Sequence, residues 1–512
     1  LTTWDDETDV IVAGSGGGLV GAYTAAREGL SVMVLEASDQ FGGTTAYSGG
    51  GGMWFPCNPV LRRAGSDDTL DDAFAYFHAA VGDRTPIELQ RAYVYGGADL
   101  IAYLEDDAHF EFDVLPWPDY YGKLPHARLD GMRHTVSKPL RAERLGDLAD
   151  RIRGPLDRER LGAPAPKYLS GGRALIGRLL SAITSYPHAS VHLNSPLVEL
   201  VSAGGRVDGA VVSHDGRRRA IRARRGVLLA TGGFENNPAL RERFGVPGDV
   251  RDTMGAPANL GLALQAGIAA GAATDLMDQA WWSPGLQHPD GRSAFALWFT
   301  GGIFVDQDGR RFVNESAPYD RIGKAIIDQL ASGTMSLPFW MIYDDRAGAV
   351  PPVQATNVSM VEPQRYVEAG LWHTADTLGE LAAKIGVDPD NLVRTVKRFN
   401  EFVAAGVDDD FGRGDEAYDR AFSGGLPPMV PIDTAPYHAA AFGLSDLGTK
   451  GGLVTDSCAR VLDTNGDPVR GLYAAGNTMA AVSGTVYPGG GVPIGASMLF
   501  SHLAALDMAT GI

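Results

Sequence analysis

The feature that most constrains this chain is a nucleotide-binding signature broken into pieces that lie far apart in sequence. Asp9-Val10-Ile11-Val12-Ala13 reads as a buried strand running into Gly14-Ser15-Gly16-Gly17-Gly18. A helical stretch from Leu19 to Glu28 follows, then a second strand, Leu30 to Leu35, ending at Glu36. That is one β-α-β unit with its acidic residue about 20 positions beyond the glycines. Glycines admit a pyrophosphate to the backbone, a helix N-terminus favours its charge, and a carboxylate closing the second strand suits ribose hydroxyls. Two later segments fit the same site: Val227-Leu228-Leu229-Ala230-Thr231-Gly232-Gly233 and Gly471-Leu472-Tyr473-Ala474-Ala475-Gly476-Asn477. Each piece alone is a weak signal. In this order they predict a Rossmann-like α/β domain that binds FAD rather than a nicotinamide coenzyme.

The glycine loop has two registers. Against the Gly-x-Gly-x-x-Gly spacing, position 19 is leucine and Gly18 arrives one residue early. Counting back from Gly29 and Glu36 gives Gly18 the part of the third glycine, after Gly14 and Gly16. Gly16-Gly17-Gly18-Leu19-Val20-Gly21 satisfies the spacing as well, so the amides that face the pyrophosphate stay open between the two.

A chain of 512 residues exceeds one ordinary domain. With 45% hydrophobic and 21% charged residues it has the composition of a globular protein able to bury a large cofactor. Its net charge of −18 excludes nucleic acid as an expected partner, since phosphate binding needs clustered Lys and Arg. The short basic runs at Arg217-Arg218-Arg219 and Arg222 to Arg225 fall in a predicted hairpin and read as solvated. Cys57 and Cys458 are too far apart to suggest a disulfide framework and read as thiols in a reducing compartment. No run of about 18 apolar residues predicts a transmembrane segment, and Leu1 to Thr8 is polar and acidic, unlike a signal peptide. A cytoplasmic location is expected, with peripheral membrane association left open.

After the first β-α-β unit, Gly42-Gly43-Thr44-Thr45-Ala46-Tyr47-Ser48 and Gly49 to Gly52 form a long small-residue segment. Small side chains let a flat ring system lie against the backbone. Tyr47, Met53, Trp54 and Phe55 interrupt the glycines with groups that want burial, which argues against a linker. Asp68 to Asp106 reads as helical, Trp117 to Gly122 as an aromatic turn, and Arg141 to Arg153 as a charged helix. Gly171-Gly172-Arg173 opens an apolar helix through Ala182, and Val191 to Val212 suggests strands and a hairpin. Residues 280–448 hold no nucleotide fingerprint. They read as an inserted α+β catalytic domain that covers the substrate, with 1–279 and 449–512 forming the FAD-binding domain. No histidine pair stands at metal-ligand spacing. His134, His192 and His438 read as structural, and neither a metal nor a histidine base is expected.

With Phe41-Gly42-Gly43-Thr44, Arg311-Phe312-Val313-Asn314-Glu315 and Gly448-Thr449-Lys450-Gly451-Gly452, the chain resembles the fumarate reductase/succinate dehydrogenase flavoprotein superfamily. Within it, the chain is similar over nearly its whole length to the 3-ketosteroid Δ1-dehydrogenases. The more specific matches are Thr45-Ala46-Tyr47-Ser48-Gly49, Pro118-Asp119-Tyr120-Tyr121, Glu315-Ser316-Ala317-Pro318-Tyr319-Asp320, Ser445-Asp446-Leu447-Gly448, and Tyr487-Pro488-Gly489-Gly490-Gly491. The resemblance implies cofactor contacts from Gly14, Ser15, Gly16, Gly18, Glu36 and Ala37, and from Gly43, Thr44, Thr45, Ala46, Ser48, Gly49 and Gly50. It implies further contacts from Ala230, Thr231, Gly232, Gly476, Asn477, Val492, Pro493 and Ile494. FAD is expected without a covalent link.

Two substitutions carry the functional expectation. Fumarate reductases follow their Asn-Glu pair with Arg-Asp, whereas this chain has Tyr319-Asp320; where they carry Asn-Arg-Leu-Gly-Gly, it has Val486-Tyr487-Pro488-Gly489-Gly490. A site for a dicarboxylate needs fixed positive charge. One lined by phenols, Trp117 and Phe295 suits an apolar ligand bearing a carbonyl. Introducing a C1–C2 double bond beside a 3-keto group removes a proton from C2 and a hydride from C1, and needs the developing oxyanion stabilised. The resemblance assigns that oxyanion to the Tyr487 hydroxyl and the Gly491 N–H. Tyr319 is implied as base, Tyr120 as its hydrogen-bonded helper, and flavin N5 as hydride acceptor; Tyr121 competes with Tyr120 by one position. An ordinary phenol ionises near pH ~10, so a base working near neutrality needs roughly 4 kcal/mol from neighbouring donors. A related ene-reductase, a dehydrogenase acting at another steroid position, or a non-catalytic flavin-binding protein are the alternatives. The electron acceptor is left unidentified.

Overall fold

The computed structural model describes residues 3–214, 216–423 and 425–511. Leu1, Thr2 and Ile512, at the ends of the predicted FAD-binding domain, lie outside them. The chain forms two compact units: Leu1–Val246 with Gly255–Ala280 and Gly448–Ile512, and Pro247–Met254 with Trp281–Leu447.

The first unit is built on an 8-stranded sheet. Its centre is parallel: Pro468–Ala474, Arg217–Leu229, Asp6–Ala13, Val32–Leu35 and Ala189–His192 lie side by side in that order. These strands are near-continuous apolar runs because a parallel sheet is covered on both faces; Val10, Ile11 and Val12, for example, are fully buried. Helix Gly18–Arg27 packs on the sheet and on helices Gly171–Thr184 and Val492–Thr510. A smaller antiparallel sheet joins Gly52–Trp54, His134–Ser137 and Phe112–Val114. Beside it the predicted helical region resolves into Leu70–Val81 and Ile87–Glu105.

Arg141 to Arg153 departs from its predicted helix. Leu140–Arg141 is a strand paired with Tyr168–Leu169, and the 3-10 stretch Ala142–Arg151 breaks at Gly146, where φ is 53° and ψ −134°. The basic hairpin forms as expected from Arg206–His214 and Arg217–Leu229. Its arginines meet acids at the surface, Arg224 with Glu7 and Asp9 at 2.8 Å each. Helix Val492–Thr510 is the one element among the described residues long and apolar enough to cross a membrane by length and composition. More than half of it is buried within this unit, where His502 Nδ1 lies 2.8 Å from Thr24 Oγ1 and Asp507 accepts the Tyr473 hydroxyl at 2.7 Å.

The second unit centres on a 7-stranded sheet in the order Ile303–Val305, Phe339–Asp344, Tyr437–Thr449, Ala280–Gln287, Ser293–Leu297, Gln354–Ala355, with Trp372–Ala375 also paired to Tyr437–Thr449. Helices Leu378–Ile385 and Pro389–Ala405 close one core with Leu381, Leu392, Val396 and Phe399. Residues 247–254, read from the sequence as part of the first domain, group with this unit. The Met254 N–H donates to Asp446 O (2.8 Å), the Thr253 hydroxyl to Asp446 Oδ1 (2.6 Å), and the Ser293 N–H to Asp252 Oδ1 (2.7 Å).

Candidate functional site

The scattered nucleotide pieces meet at one edge of the parallel sheet. Ala13 is the register partner of both Leu229 and Leu35, and Leu229 is the partner of Ala474. Gly14, Ala230, Ala475-Gly476 and Glu36 therefore leave four adjacent strands together, at the carboxyl end where α/β sheets bind ligands. Gly14 turns the chain with φ +101°, and a Cβ there would stand 2.0 Å from Ala230 O. Helix Gly18–Arg27 starts at once. A Cβ on Gly18 would press on Val12 and Ala230 at 3.1 and 2.9 Å, the close helix–strand contact required of a third glycine. Gly21 makes a comparable approach to Leu228, so both registers have a structural use.

Glu36 is 7% exposed and accepts from Ser15 Oγ through one oxygen and from Ser38 N–H and Oγ (2.9 and 3.0 Å) through the other. The small-residue segment folds into the short helix Gly43–Tyr47, and Gly43, Gly49 and Gly50 have open space where a Cβ would stand. Thr44 Oγ1 accepts from Ala256 N–H (2.9 Å) and from Asn259 Nδ2 (3.0 Å), whose amide also donates to buried Glu235 at 2.7 Å. Thr478 Oγ1 bridges Thr231 N–H and Gly232 O, each at 2.9 Å. Sequence reading missed Glu235, Asn259, Thr478 and Ser497, the last of which fills the space beside Gly17 and Gly476. Strand-end glycines without room for a Cβ, a helix N-terminus and a carboxylate at the second strand's end fit a dinucleotide such as FAD.

A second cluster in this unit is aromatic. Tyr120 (1% exposed) and Tyr487 (4% exposed) pack with ring centroids 5.3 Å apart. Trp117 Nε1 donates to the Tyr120 hydroxyl at 3.1 Å, and that hydroxyl lies 2.9 Å from where a Gly490 Cβ would stand. The Tyr120 ring meets Tyr487, and Tyr121 gives its backbone N–H to the Tyr76 hydroxyl at 3.2 Å. Gly491, with φ +86°, is the N-cap of helix Val492–Thr510, and a Cβ there would stand 2.1 Å from Gly52 O. The Tyr120 turn rests on a buried ion network. Arg133 grips Asp68 through Nε (2.7 Å) and Nη2 (3.0 Å) and Asp119 through Nη1 (2.7 Å), while Trp54 Nε1 donates to Asp119 at 2.8 Å. Burial pushes the Asp119 carboxyl up to about 6, against the pull of the Arg133 charge.

The second unit holds the remaining predicted residues. Tyr319, 6% exposed, is the first residue of helix Tyr319–Ala331, and Phe295 from strand Ser293–Leu297 meets its ring edge-on at 4.8 Å. Arg311 and Glu315, just before it in sequence, form a buried cluster with Asp408 and Arg413. Arg311 is bidentate to Glu315 (2.9 and 2.8 Å) and bonds Asp408 (2.9 Å), and Arg413 Nη1 reaches Glu315 at 3.1 Å. Tyr319 borders a cavity also lined by Leu297, Trp298, Phe299, Tyr418 and Phe422. These five carry no motif, and the sequence reading did not find them.

Over residues 9–494 the sequence matches the FAD binding domain family. It is 36% identical to the 3-oxosteroid 1-dehydrogenase of Mycolicibacterium smegmatis, over 98% of this chain and 97% of that one. It is 35% identical to the 4-oxocyclohexanecarboxylate 2-dehydrogenase of Sinomonas cyclohexanicum, over 98% of this chain and 92% of that one. In structure it is similar to the 3-ketosteroid Δ1-dehydrogenase of Sterolibacterium denitrificans solved with 1,4-androstadiene-3,17-dione, with TM-score 0.90, 31% identity, and 99% and 100% of the two chains covered.

Proposed function

The chain belongs to the FAD binding domain family of flavoproteins, and from that premise we propose that it is an FAD-dependent 3-ketosteroid Δ1-dehydrogenase. The observation that carries this reading is the pairing of Tyr120 with Tyr487 beside the Gly489–Gly491 turn, two buried phenols facing each other where a dicarboxylate would need guanidinium groups. When bound, FAD supplies the two-electron acceptor for the hydride that leaves C1. Gly14, Ser15, Gly16, Gly18, Glu36 and the Thr44 and Ala230–Gly232 segments hold it without a covalent bond.

The chain's own part is to acidify C2 and remove its proton. The Tyr487 hydroxyl and the Gly491 N–H hold the 3-keto oxygen as it gains charge. Gly491 caps a 19-residue helix, whose N-terminal dipole favours that charge. Tyr319 takes the C2 proton. Because Tyr319 opens its own helix, the same dipole favours a phenolate there, while Lys324, 3.7 Å from Asp320, offsets the neighbouring carboxylate. Phe295, Trp298, Tyr418 and Phe422 give the second unit an aromatic surface suited to a fused hydrocarbon ring system. Trp117 holds Tyr120 in place through its indole N–H.

The likeness to the oxocyclohexanecarboxylate dehydrogenase supports a second reading, a smaller cyclic ketone bearing a carboxylate. One experiment separates them. Anaerobic mixing with a 3-keto-4-ene steroid should bleach the flavin, and turnover with an artificial electron acceptor should yield the cross-conjugated 1,4-dien-3-one. A flavin that stays yellow with the steroid and bleaches with 4-oxocyclohexanecarboxylate would replace the first reading with the second.

A further inference from the structure

The two peptide carbonyls that bracket Tyr487 are each held by a buried side chain from a distant part of the first unit. Lys450, 1% exposed, donates from Nζ to Val486 O at 2.7 Å. Tyr76, fully buried, donates from its hydroxyl to Pro488 O at 2.5 Å. The same Pro488 carbonyl accepts the Tyr120 N–H at 3.0 Å, and the Tyr76 hydroxyl accepts the Tyr121 N–H at 3.2 Å. Lys450 is itself anchored through its backbone, its N–H to Gln279 O (2.9 Å) and its carbonyl to Ala481 N–H (3.1 Å). A turn carbonyl is ordinarily satisfied by water or a neighbouring amide. Here three donors converge on the carbonyls either side of one residue, and two of them come from side chains taken out of water to do so.

We propose that Lys450 and Tyr76 are positioning residues that fix the Tyr487 hydroxyl and, a few residues on, the Gly491 amide. The inference rests on the oxyanion role given to those two donors above. Such donors act only where they stand at hydrogen-bond distance from the oxyanion, and a displacement of about 1 Å costs about 100-fold in rate. Val486 O lies in the peptide that precedes Tyr487 and Pro488 O in the one beyond a proline whose ring fixes its own φ, so the two bonds together restrain the short backbone segment through which the Tyr487 ring would drift. Tyr76 does this jointly for Tyr487 and for the Tyr120–Tyr121 backbone, so the two facing phenols share one anchor.

The test uses the full-length holoprotein and two variants, Tyr76→Phe, which deletes one hydroxyl, and Lys450→Met, which keeps the stem length without the donor. Hydrogen exchange read by mass spectrometry reports the clamp without reference to activity. Peptides covering 483–492 should exchange about tenfold faster in each variant, while strands Asp6–Ala13 and Arg217–Leu229 keep their wild-type protection. With a 3-keto-4-ene steroid, kcat should fall about 10- to 100-fold and KM should change less than about threefold. Unchanged exchange in 483–492 overturns the clamp, and faster exchange with wild-type kcat overturns its role in positioning. Faster exchange throughout the unit would mark a merely structural role and overturn it as well. If the wild-type protein turns over no 3-ketosteroid, the proposed function fails and the positioning role with it, while local loosening in 483–492 would still establish the clamp as a structural fact.

Discussion

The rings of Tyr120 and Tyr487 lie 5.3 Å apart, tilted by 40°, and both are almost wholly buried. One comes from a turn beside a small antiparallel sheet, the other from the loop that leads into the last helix. Replacing Tyr487 by Phe keeps this ring contact and deletes only the hydroxyl. Turnover should fall about 100- to 1000-fold, the measured range for loss of one oxyanion donor. Thermal stability and flavin content should stay close to wild type. Steady-state kinetics with melting curves on the same preparation check this.

Tyr319→Phe should remove turnover almost completely, by about 100- to 10,000-fold, while the flavin remains bound. The edge-on contact with Phe295 does not need the hydroxyl, so the ring should keep its place. Retention of more than about a tenth of wild-type kcat would remove Tyr319 from the role of base.

Gly14→Ala should purify with little flavin. The added Cβ would stand 2.0 Å from Ala230 O in a backbone conformation, φ +101°, that alanine rarely adopts. The strand ends carrying Glu36 and Gly476 would then no longer meet in register. The ratio of visible to protein absorbance, measured before and after incubation with excess FAD, reads this directly.

Arg133→Met should destabilise the protein by about 3–5 kcal/mol, because Asp68 and Asp119 would be left buried without their cation. Urea unfolding gives the size of the loss. The Asp68→Asn, Arg133→Met double variant should recover part of it by removing one of the stranded charges.

His134 and His502 are buried imidazoles, held neutral because burial lowers their pKa to about 3 and about 4. In the unfolded chain both titrate near ~6.5. Below that pH the unfolded state binds protons that the folded state refuses, so stability falls as pH drops. The loss begins near pH ~6.5 and continues to about 4 for His502 and about 3 for His134. Melting temperature should decline across this window, and less steeply in His502→Gln.

What could be read from the chain and what could not divide along physical lines. The β-α-β unit was legible because its signals are local: an apolar strand, glycines at a turn, and a carboxylate one strand later. Tyr120 and Tyr487 were singled out through family resemblance alone, and nothing periodic in the Trp117–Gly122 turn says which adjacent tyrosine faces inward. The charged stretch Arg141 to Arg153 reads as a helix, yet Gly146 breaks it. The contacts of Asp68 with Arg133, of Tyr76 with Pro488 and of Lys450 with Val486 join distant segments through ordinary polar residues and leave no spacing to find. Trp298, Tyr418 and Phe422 were hidden for a related reason: they gather around a cavity from a loop and the short helix Ala417–Ala421.

Helix Val492–Thr510 begins at Gly491, and its Ser497 occupies the space beside both Gly17 and Gly476. A segment made after residues 6–490 therefore completes the crevice that strands Asp6–Ala13 and Val32–Leu35 begin. During synthesis, residues 6–35 must wait for the entire intervening polypeptide before that crevice closes. A nascent chain stalled before residue 497 should therefore fail to capture its flavin.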